Sequence, residues 1–426
     1  MNTKQENITL FEHQTVKLEQ VIGEVKFDRS KLNALQEYYG IRGVPYFSLI
    51  HNGIKFNEYV GVIQVGGLII EVLPKADESY KGADEKDHWR DILINMIRSV
   101  GAFDIHAPSS SSLKLKSNSL LYLYFELFIN EVEYLIRNGL LKQYRKKEGN
   151  VNALKGNLLF SDHIQLNLTH QERFFVRHTI YDVEHILHII IYKTIQLLYQ
   201  INTHIKLHSR IGSLLLDFPV MPDIRVSEST FNKIRYNRKS MVYQKAIEIA
   251  RLLLLNYHPD IKKGRNHVLA LMFDMNKLWE QFVYVSLRQK KEAATTIIAQ
   301  TSKYFWKPQE GKRSIIKPDI VLNKGKVDCV VLDTKWKILN GYNPSPEDLR
   351  QMYVYHEYYR AKKVALIYPG SENQLSGGTF LDPITGDKLD KECSIITLSV
   401  ESNIKNWQGI IYDYINSWIK SPAMKH

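Results

Sequence analysis

Cysteine is scarce in this chain. Two residues, Cys329 and Cys393, among 426 exclude a disulfide framework and a cysteine-based zinc site, and they suit a reducing compartment. The opening MNTKQENITLF lacks the basic-then-apolar pattern of a secretory signal, so the expected location is cytoplasmic. Long apolar runs are also missing. The most apolar stretch, His185 to Ile201, carries His188, Lys193 and Gln196 and reads as a buried helix, with no membrane partner expected. No G-x-x-x-x-G-K-[ST] occurs, and Gly311-Lys312-Arg313-Ser314 lacks the upstream glycine, which excludes a recognisable P-loop motor. Nothing repeats, and low complexity is confined to the serine run of Pro108 to Ser112. Acidic residues are in deficit, 45 against 57 Lys plus Arg, giving a formal charge of +12. That imbalance favours a polyanionic partner and by itself does not separate nucleic acid from an acidic protein or a membrane surface. Hydrophobic residues at 44% and charged residues at 24% exclude a largely disordered chain, and the length suits two to four domains.

Three regions follow from pattern and punctuation. Residues 1–80 read as a β-rich N-terminal module, with a tight hairpin at Asn52-Gly53 and a second at Gly66-Gly67 before Pro74 and a charged linker, Lys75 to Asp87. Residues 81–265 read as a mainly helical middle domain. Trp89, Ile92, Leu93, Met96, Ile97 and Val100 recur at helical spacing, and long helices are expected over Leu120–Leu141, Val183–Gln200 and Lys239–Leu255. Residues 266–426 read as a mixed α/β domain: a helix over Val268–Gln289, a strand over Ile315–Leu322, a turn at Asn323-Lys324-Gly325-Lys326 and a strand over Val327–Lys335. A helix opening on Pro346 follows, then strands at Lys363–Tyr368 and Ser394–Val400, and a closing helix over Ile404–Ile419. The expected fold class is therefore multidomain α/β.

The chemistry concentrates on the central hairpin. Asp319, in Lys317-Pro318-Asp319, comes partway along one strand and Asp333-Thr334-Lys335 ends the next. Asp333 and Lys335, two apart, face the same side of a strand, and the hairpin brings Asp319 alongside. Two crowded carboxylates need a cation, and oxygen ligation suits Mg²⁺, with Mn²⁺ an alternative. Lys335 then has three candidate tasks: orienting a water, deprotonating it, or stabilising charge on a phosphate. A solvated Asp–Lys surface pair is the plainer reading of so short a motif. The apolar runs Ile315-Ile316 and Val330-Val331-Leu332 weigh against it, because they carry the acids onto buried strands where unpaired charge is costly.

Pro318-Asp319 with Asp333-Thr334-Lys335 resembles the PD-(D/E)xK nuclease signature. Glu280, in Leu278-Trp279-Glu280-Gln281-Phe282, matches an acidic residue of that superfamily's preceding helix, and Gln351 with Tyr355 matches the element after the lysine strand. The strings Phe273 to Glu280, Asp348 to Tyr353 and Glu71-Val72-Leu73-Pro74-Lys75, with the turn Leu154-Lys155-Gly156, are similar to the McrC nuclease subunit of McrBC-type modification-dependent restriction systems. One departure is Glu184-His185, where that family often has Asn early in the long middle helix. The resemblance implies a restriction-endonuclease-like C-terminal domain in which Asp319 and Asp333 ligate Mg²⁺, the Thr334 carbonyl assists, Lys335 is catalytic and Glu280 is an auxiliary ligand. Gln351 positions the site or a DNA phosphate. It also implies methylated-cytosine DNA as target and an oligomeric assembly with a separate McrB-like AAA+ GTPase, docked by the first or second region.

Plainer readings stand beside these roles: a solvated helix glutamate for Glu280, a surface amide for Gln351, a core aromatic for Tyr355. The pairs His185/His188 and His204/His208 lack the glutamate and third ligand of a helical zinc site. Basic groups at Lys142–Lys147, Lys233–Lys239 and Lys262–Arg265 are candidate phosphate grips or simply solvated faces. Two other functions remain open at this point: an autonomous RecB-like repair nuclease, and a non-catalytic subunit that bridges or regulates a motor.

Overall fold

Alternating apolar residues and paired glycines build the first sheet as expected. In the computed structural model, which describes residues 6–40, 43–75, 84–100, 120–258, 268–290, 295–337, 339 and 343–421, the chain forms two compact units. One joins Met1–Lys114 to Pro259–His426, and the other is Leu115–His258.

In the first unit, Phe47–Ile50 pairs with Gly53–Phe56 across Asn52, which adopts φ 51°, and Tyr59–Val65 pairs with Leu68–Leu73 across Gly66 at φ 56°. The first turn is His51-Asn52, one residue ahead of the expected Asn52-Gly53, with Gly53 already in its strand, and the second is the expected Gly66-Gly67. Glu6–Phe11 adds in parallel beside Leu68–Leu73. A helix over Arg29–Tyr39, capped by Asp28, was not expected and packs Leu32 and Leu35 into a core with Phe27, Phe47, Phe56 and Ile63.

The stretch Val268–Gln289 is not one helix. Val268–Asp274 is a strand, antiparallel to Tyr59–Val65, and only Met275–Gln289 is helical, its N-terminus capped by Asp274. The run Val-Leu-Ala-Leu-Met has no period that separates a buried strand from a helix. Gly61 makes the pairing close: it takes φ 135°, and a Cβ there would lie 2.1 Å from the Leu271 carbonyl oxygen. Gly61→Ala is therefore expected to destabilise by more than about 1 kcal/mol. A chemical-denaturation midpoint equal to the wild type's would refute this reading of the contact.

The second sheet of this unit has the strand order Ile297–Ala299, Ile320–Leu322, Val330–Thr334, Lys363–Gly370, Lys388–Ser399, Gln374–Leu381. Val330–Thr334, Lys363–Gly370 and Lys388–Ser399 run parallel, and the others pair antiparallel. The helix Pro346–Tyr359 covers one face, burying Met352, Tyr355 and Tyr359 against Val331, Val364 and Leu366. The helices Met275–Gln289 and Ile404–Lys420 pack against the sheet as well as against each other. The expected strand Ile315–Leu322 is split. Ser314–Ile316 and Ile320–Leu322 belong to different sheets, because Pro318 between them has no N–H to offer a ladder.

The second unit contains the helices Leu120–Arg137, Ile186–Ile201 and Gln244–Leu255, close to the expected positions, together with a helix over Ile205–Asp217 and a three-stranded antiparallel sheet that were not expected. Most of the basic cluster after the first helix lies on one of its strands, Gln143–Val151, where Arg145 pairs with Asp182 and Glu184. His188 is spent on structure: it bonds the Val183 carbonyl and the Tyr243 hydroxyl, and burial pushes its pKa down to about 4. The serine run Pro108–Ser112, the basic group Lys262–Arg265 and most of the expected linker lie outside the described residues. Among the described residues no helix is long and apolar enough to cross a membrane.

Candidate active site

Two strand ends and one helix converge on the acidic pair. Asp319 follows Pro318 immediately before the strand Ile320–Leu322, and not partway along a strand as the pattern suggested. Its Oδ2 accepts hydrogen bonds from the Thr334 N–H at 2.7 Å and the Thr334 hydroxyl at 2.8 Å. Residue 334 thus holds one acid in place with both its donors. Asp333, on the neighbouring strand, is 1% exposed. Lys335 Nζ lies 2.6 Å from Asp333 Oδ2 and 3.9 Å from Asp348 Oδ1.

Gln351 joins the acid to the lysine. Its Nε2 donates to Asp333 Oδ1 at 3.4 Å and to the Tyr355 hydroxyl at 2.7 Å, and its Oε1 accepts from Lys335 Nζ at 3.3 Å. This is one helix-borne amide satisfying both charges, which a surface glutamine would not do. Tyr355 is buried and serves as an acceptor for that amide. Glu280 is also buried, and its Oε1 accepts from Gln300 Nε2 at 2.7 Å, while Lys317 donates to the same Gln300 side chain.

The electrostatics follow from this crowding. Burial, and then the charge of Asp319, push the Asp333 carboxyl up to about 6. Burial and Asp319 likewise push Glu280 up to about 7. Burial raises Asp319 too, against the opposing bonds from Thr334. Burial works against the Lys335 ammonium, but Asp333, Asp348 and Asp319 outweigh it and hold its pKa above the ordinary lysine value. Negative charge without a cation is what this pocket resists.

The donor set fits a hard divalent ion. Asp333 Oδ2, although beside Lys335, takes no aligned hydrogen bond and is buried. Among the described residues no three His, Cys, Asp or Glu side chains are grouped to cage a metal. Two carboxylates with waters and a substrate phosphate are the usual protein contribution to a Mg²⁺ site, so a three-ligand cage is not required.

Some participants carried no signal in the sequence. Gln300, which orients Glu280, stands at φ 50° in an unremarkable run. Asp348 was visible as one helical turn before Gln351, the spacing that puts two side chains on one face. Glu12 is the least expected: at the end of the first strand, it accepts the Trp336 indole N–H at 2.7 Å, one residue beyond Lys335.

Glu12 also accepts the Lys75 N–H, and burial pushes its pKa up to about 7, with Glu58 adding to the rise. Between about 4.5 and 7 the folded chain keeps this proton and the unfolded chain loses it. The stabilisation it brings is complete below pH 4.5 and is lost as pH rises through 7. Glu12→Gln keeps the acceptor and has no proton to lose. Wild type should therefore lose stability relative to Glu12→Gln across that window, by up to about 3 kcal/mol. Parallel urea titrations at pH 4.5 and 8 check this, and a constant difference would refute it.

The fold alone places the chain among multidomain mixed α/β proteins whose central sheet gathers its acids at strand ends. Over residues 54–369 it matches the family described as McrBC 5-methylcytosine restriction system component, and it belongs to that family. It is similar in structure to a chain of the refined half-complex from the tetradecameric assembly of Thermococcus gammatolerans McrB AAA+ hexamers with bound McrC. That likeness has a TM-score of 0.72 at 20% identity, covering 97% of this chain and 100% of the other. A chain of the cryo-EM Thermococcus gammatolerans McrBC complex matches with a TM-score of 0.51 at 19% identity, over 66% of this chain and 87% of the other. No curated protein matches.

Proposed function

We propose that the chain is the Mg²⁺-dependent DNA endonuclease subunit of a McrBC-type restriction complex, with its PD-(D/E)xK site in residues 266–426. The observation that carries the reading is the meeting of Asp319, Asp333 and Lys335 at adjacent strand ends, with Asp333 buried and tied to Lys335 and Gln351. Gathering charges at a buried point is costly, and a bound cation and substrate phosphate would offset that cost here. Asp319 and Asp333 would hold the metal, with the Thr334 carbonyl and Glu280 as further ligands. When bound, Mg²⁺ supplies charge neutralisation and polarises a phosphate oxygen.

The protein's own residues do the rest. Lys335, beside Asp333 and Asp348, would donate hydrogen bonds to charge developing on the phosphate. Gln351 fixes the distance between Asp333 and Lys335, and Thr334 fixes Asp319. The relatives with bound McrC support an AAA+ GTPase ring as partner, and the family description supports 5-methylcytosine DNA as target. Residues 1–80 and 81–265 are then the candidates for docking that ring.

Plasmid cleavage tests the reading. Methylated and unmethylated plasmid are incubated with the chain, with Mg²⁺ or EDTA, and with or without the GTPase and GTP. Cutting that needs metal, methylation and partner is the expected result. Cutting without the partner would replace it with an autonomous nuclease, and no cutting despite verified assembly would leave a regulatory subunit.

A further inference from the structure

The antiparallel pair Ile297–Ala299 with Ile320–Leu322 continues past Asp319 as a two-stranded ribbon, Lys303–Trp306 paired with Ser314–Ile316. Both limbs are rooted at the acids. The Gln300 N–H donates to the Asp319 carbonyl at 2.8 Å, and the Gln300 side chain holds Glu280. The ribbon is a sheet of its own, and its side chains are unusual for a surface: Tyr304, Trp306 and Ile315 are 66%, 59% and 54% exposed. Between residues 303 and 317 lie five basic residues, Lys303, Lys307, Lys312, Arg313 and Lys317, and one acid, Glu310. Arg313 lies over the Tyr304 ring, 5.0 Å from its centre. A cleft of about 910 Å³ at the ribbon's foot is lined by Lys303, Lys324, Lys326 and Arg360 against one acid, Glu357, and extends the positive surface.

Resting on the nuclease reading above, we infer that this ribbon is a duplex-DNA grip, lying in a groove beside the scissile phosphate. Exposed aromatics alone would suit a protein partner, but interleaved with this charge they match a polyanion whose grooves present apolar base edges between phosphates. A two-stranded ribbon fits the major groove. From Asp319 to Ser314 is five residues, roughly 17 Å of strand, or about five base steps. The tip therefore holds DNA near the cut while the acids remain free to act on it. Basic side chains contact phosphates, and Tyr304 and Trp306 contact bases.

The test is fluorescence anisotropy of the full chain with a short labelled duplex in EDTA, over a series of KCl concentrations. Tyr304→Ala/Trp306→Ala is expected to weaken binding about tenfold or more with an unchanged salt slope, because apolar contact with base edges in the groove is lost. Lys312→Ala/Arg313→Ala is expected to reduce the salt slope by about two. All four residues are exposed, so thermal melting should match wild type and exclude misfolding. Wild-type affinity and slope in both variants would overturn the inference, even where metal-dependent cutting persists. Loss of association with the GTPase at unchanged DNA affinity would also overturn it, in favour of protein docking. Ribbon-dependent binding without any cutting by the wild type would sink the nuclease reading and leave the grip standing.

Discussion

Asp333→Ala is expected to remove all detectable plasmid cleavage, and Lys335→Met to leave about 0.1% of it, the scale for losing a charged donor to the transition state. The two variants should then part company. Asp333→Ala removes a candidate metal ligand, so Mn²⁺ or Mg²⁺ binding measured by calorimetry should fall with activity. Lys335→Met removes the cation lying 2.6 Å from Asp333 Oδ2, so its metal affinity should equal or exceed that of wild type. The distinction matters because an ion pair of purely structural use would give the same loss of folding in both and no difference in metal binding. Wild-type cleavage by Lys335→Met, or wild-type metal binding by Asp333→Ala, would refute the assigned roles.

The second large effect lies in the packing that supports the site. Trp279 is fully buried, stacks on Trp407 at 5.6 Å, meets Trp336 edge-on at 5.6 Å and donates its N–H to the Ile367 carbonyl at 3.4 Å. Lys335 is hydrogen-bonded to that same carbonyl through its backbone N–H. Trp279→Ala should cost about 3–5 kcal/mol, the range for losing a large aromatic from a core. Because the chain has two compact units, the loss should appear in one unfolding transition and spare the other. Calorimetry resolves the two, and an unshifted first unit would contradict the central place given to this indole cluster. Trp279→Phe, which retains most of the area, should recover much of the difference.

The parts legible in the sequence share a cause: each is decided locally. Asn52-Gly53, Gly66-Gly67 and Asn323 to Lys326 declare turns by their own backbone preferences, and Pro346 after Ser345 declares a helix start. Asp333 was readable because the buried run Val330-Val331-Leu332 leads into it, whereas Ile315-Ile316, expected to do the same for Asp319, lies on an exposed ribbon of another sheet. What escaped depends on distant partners. Val268–Asp274 is a strand because Tyr59–Val65 lies beside it, and Gln143–Val151 is a strand because Phe174–Asp182 does, despite its charge. Asp319 stands before its strand because Pro318, which has no N–H for a ladder, ends the apolar run Ile315-Ile316 ahead of it. Glu12 beside Trp336 joins residues 324 apart, a contact that no local pattern announces.

The pairing of Tyr59–Val65 with Val268–Asp274 also has a meaning for synthesis. A ribosome emits the first strand roughly 200 residues before its neighbour, a delay of about 10–40 s at common elongation rates. Through that interval the nascent chain carries an open β edge of the kind that pairs with the wrong molecule. The acids and the lysine emerge later still, so a prematurely terminated chain would be an aggregation hazard that lacks the acid–lysine site altogether.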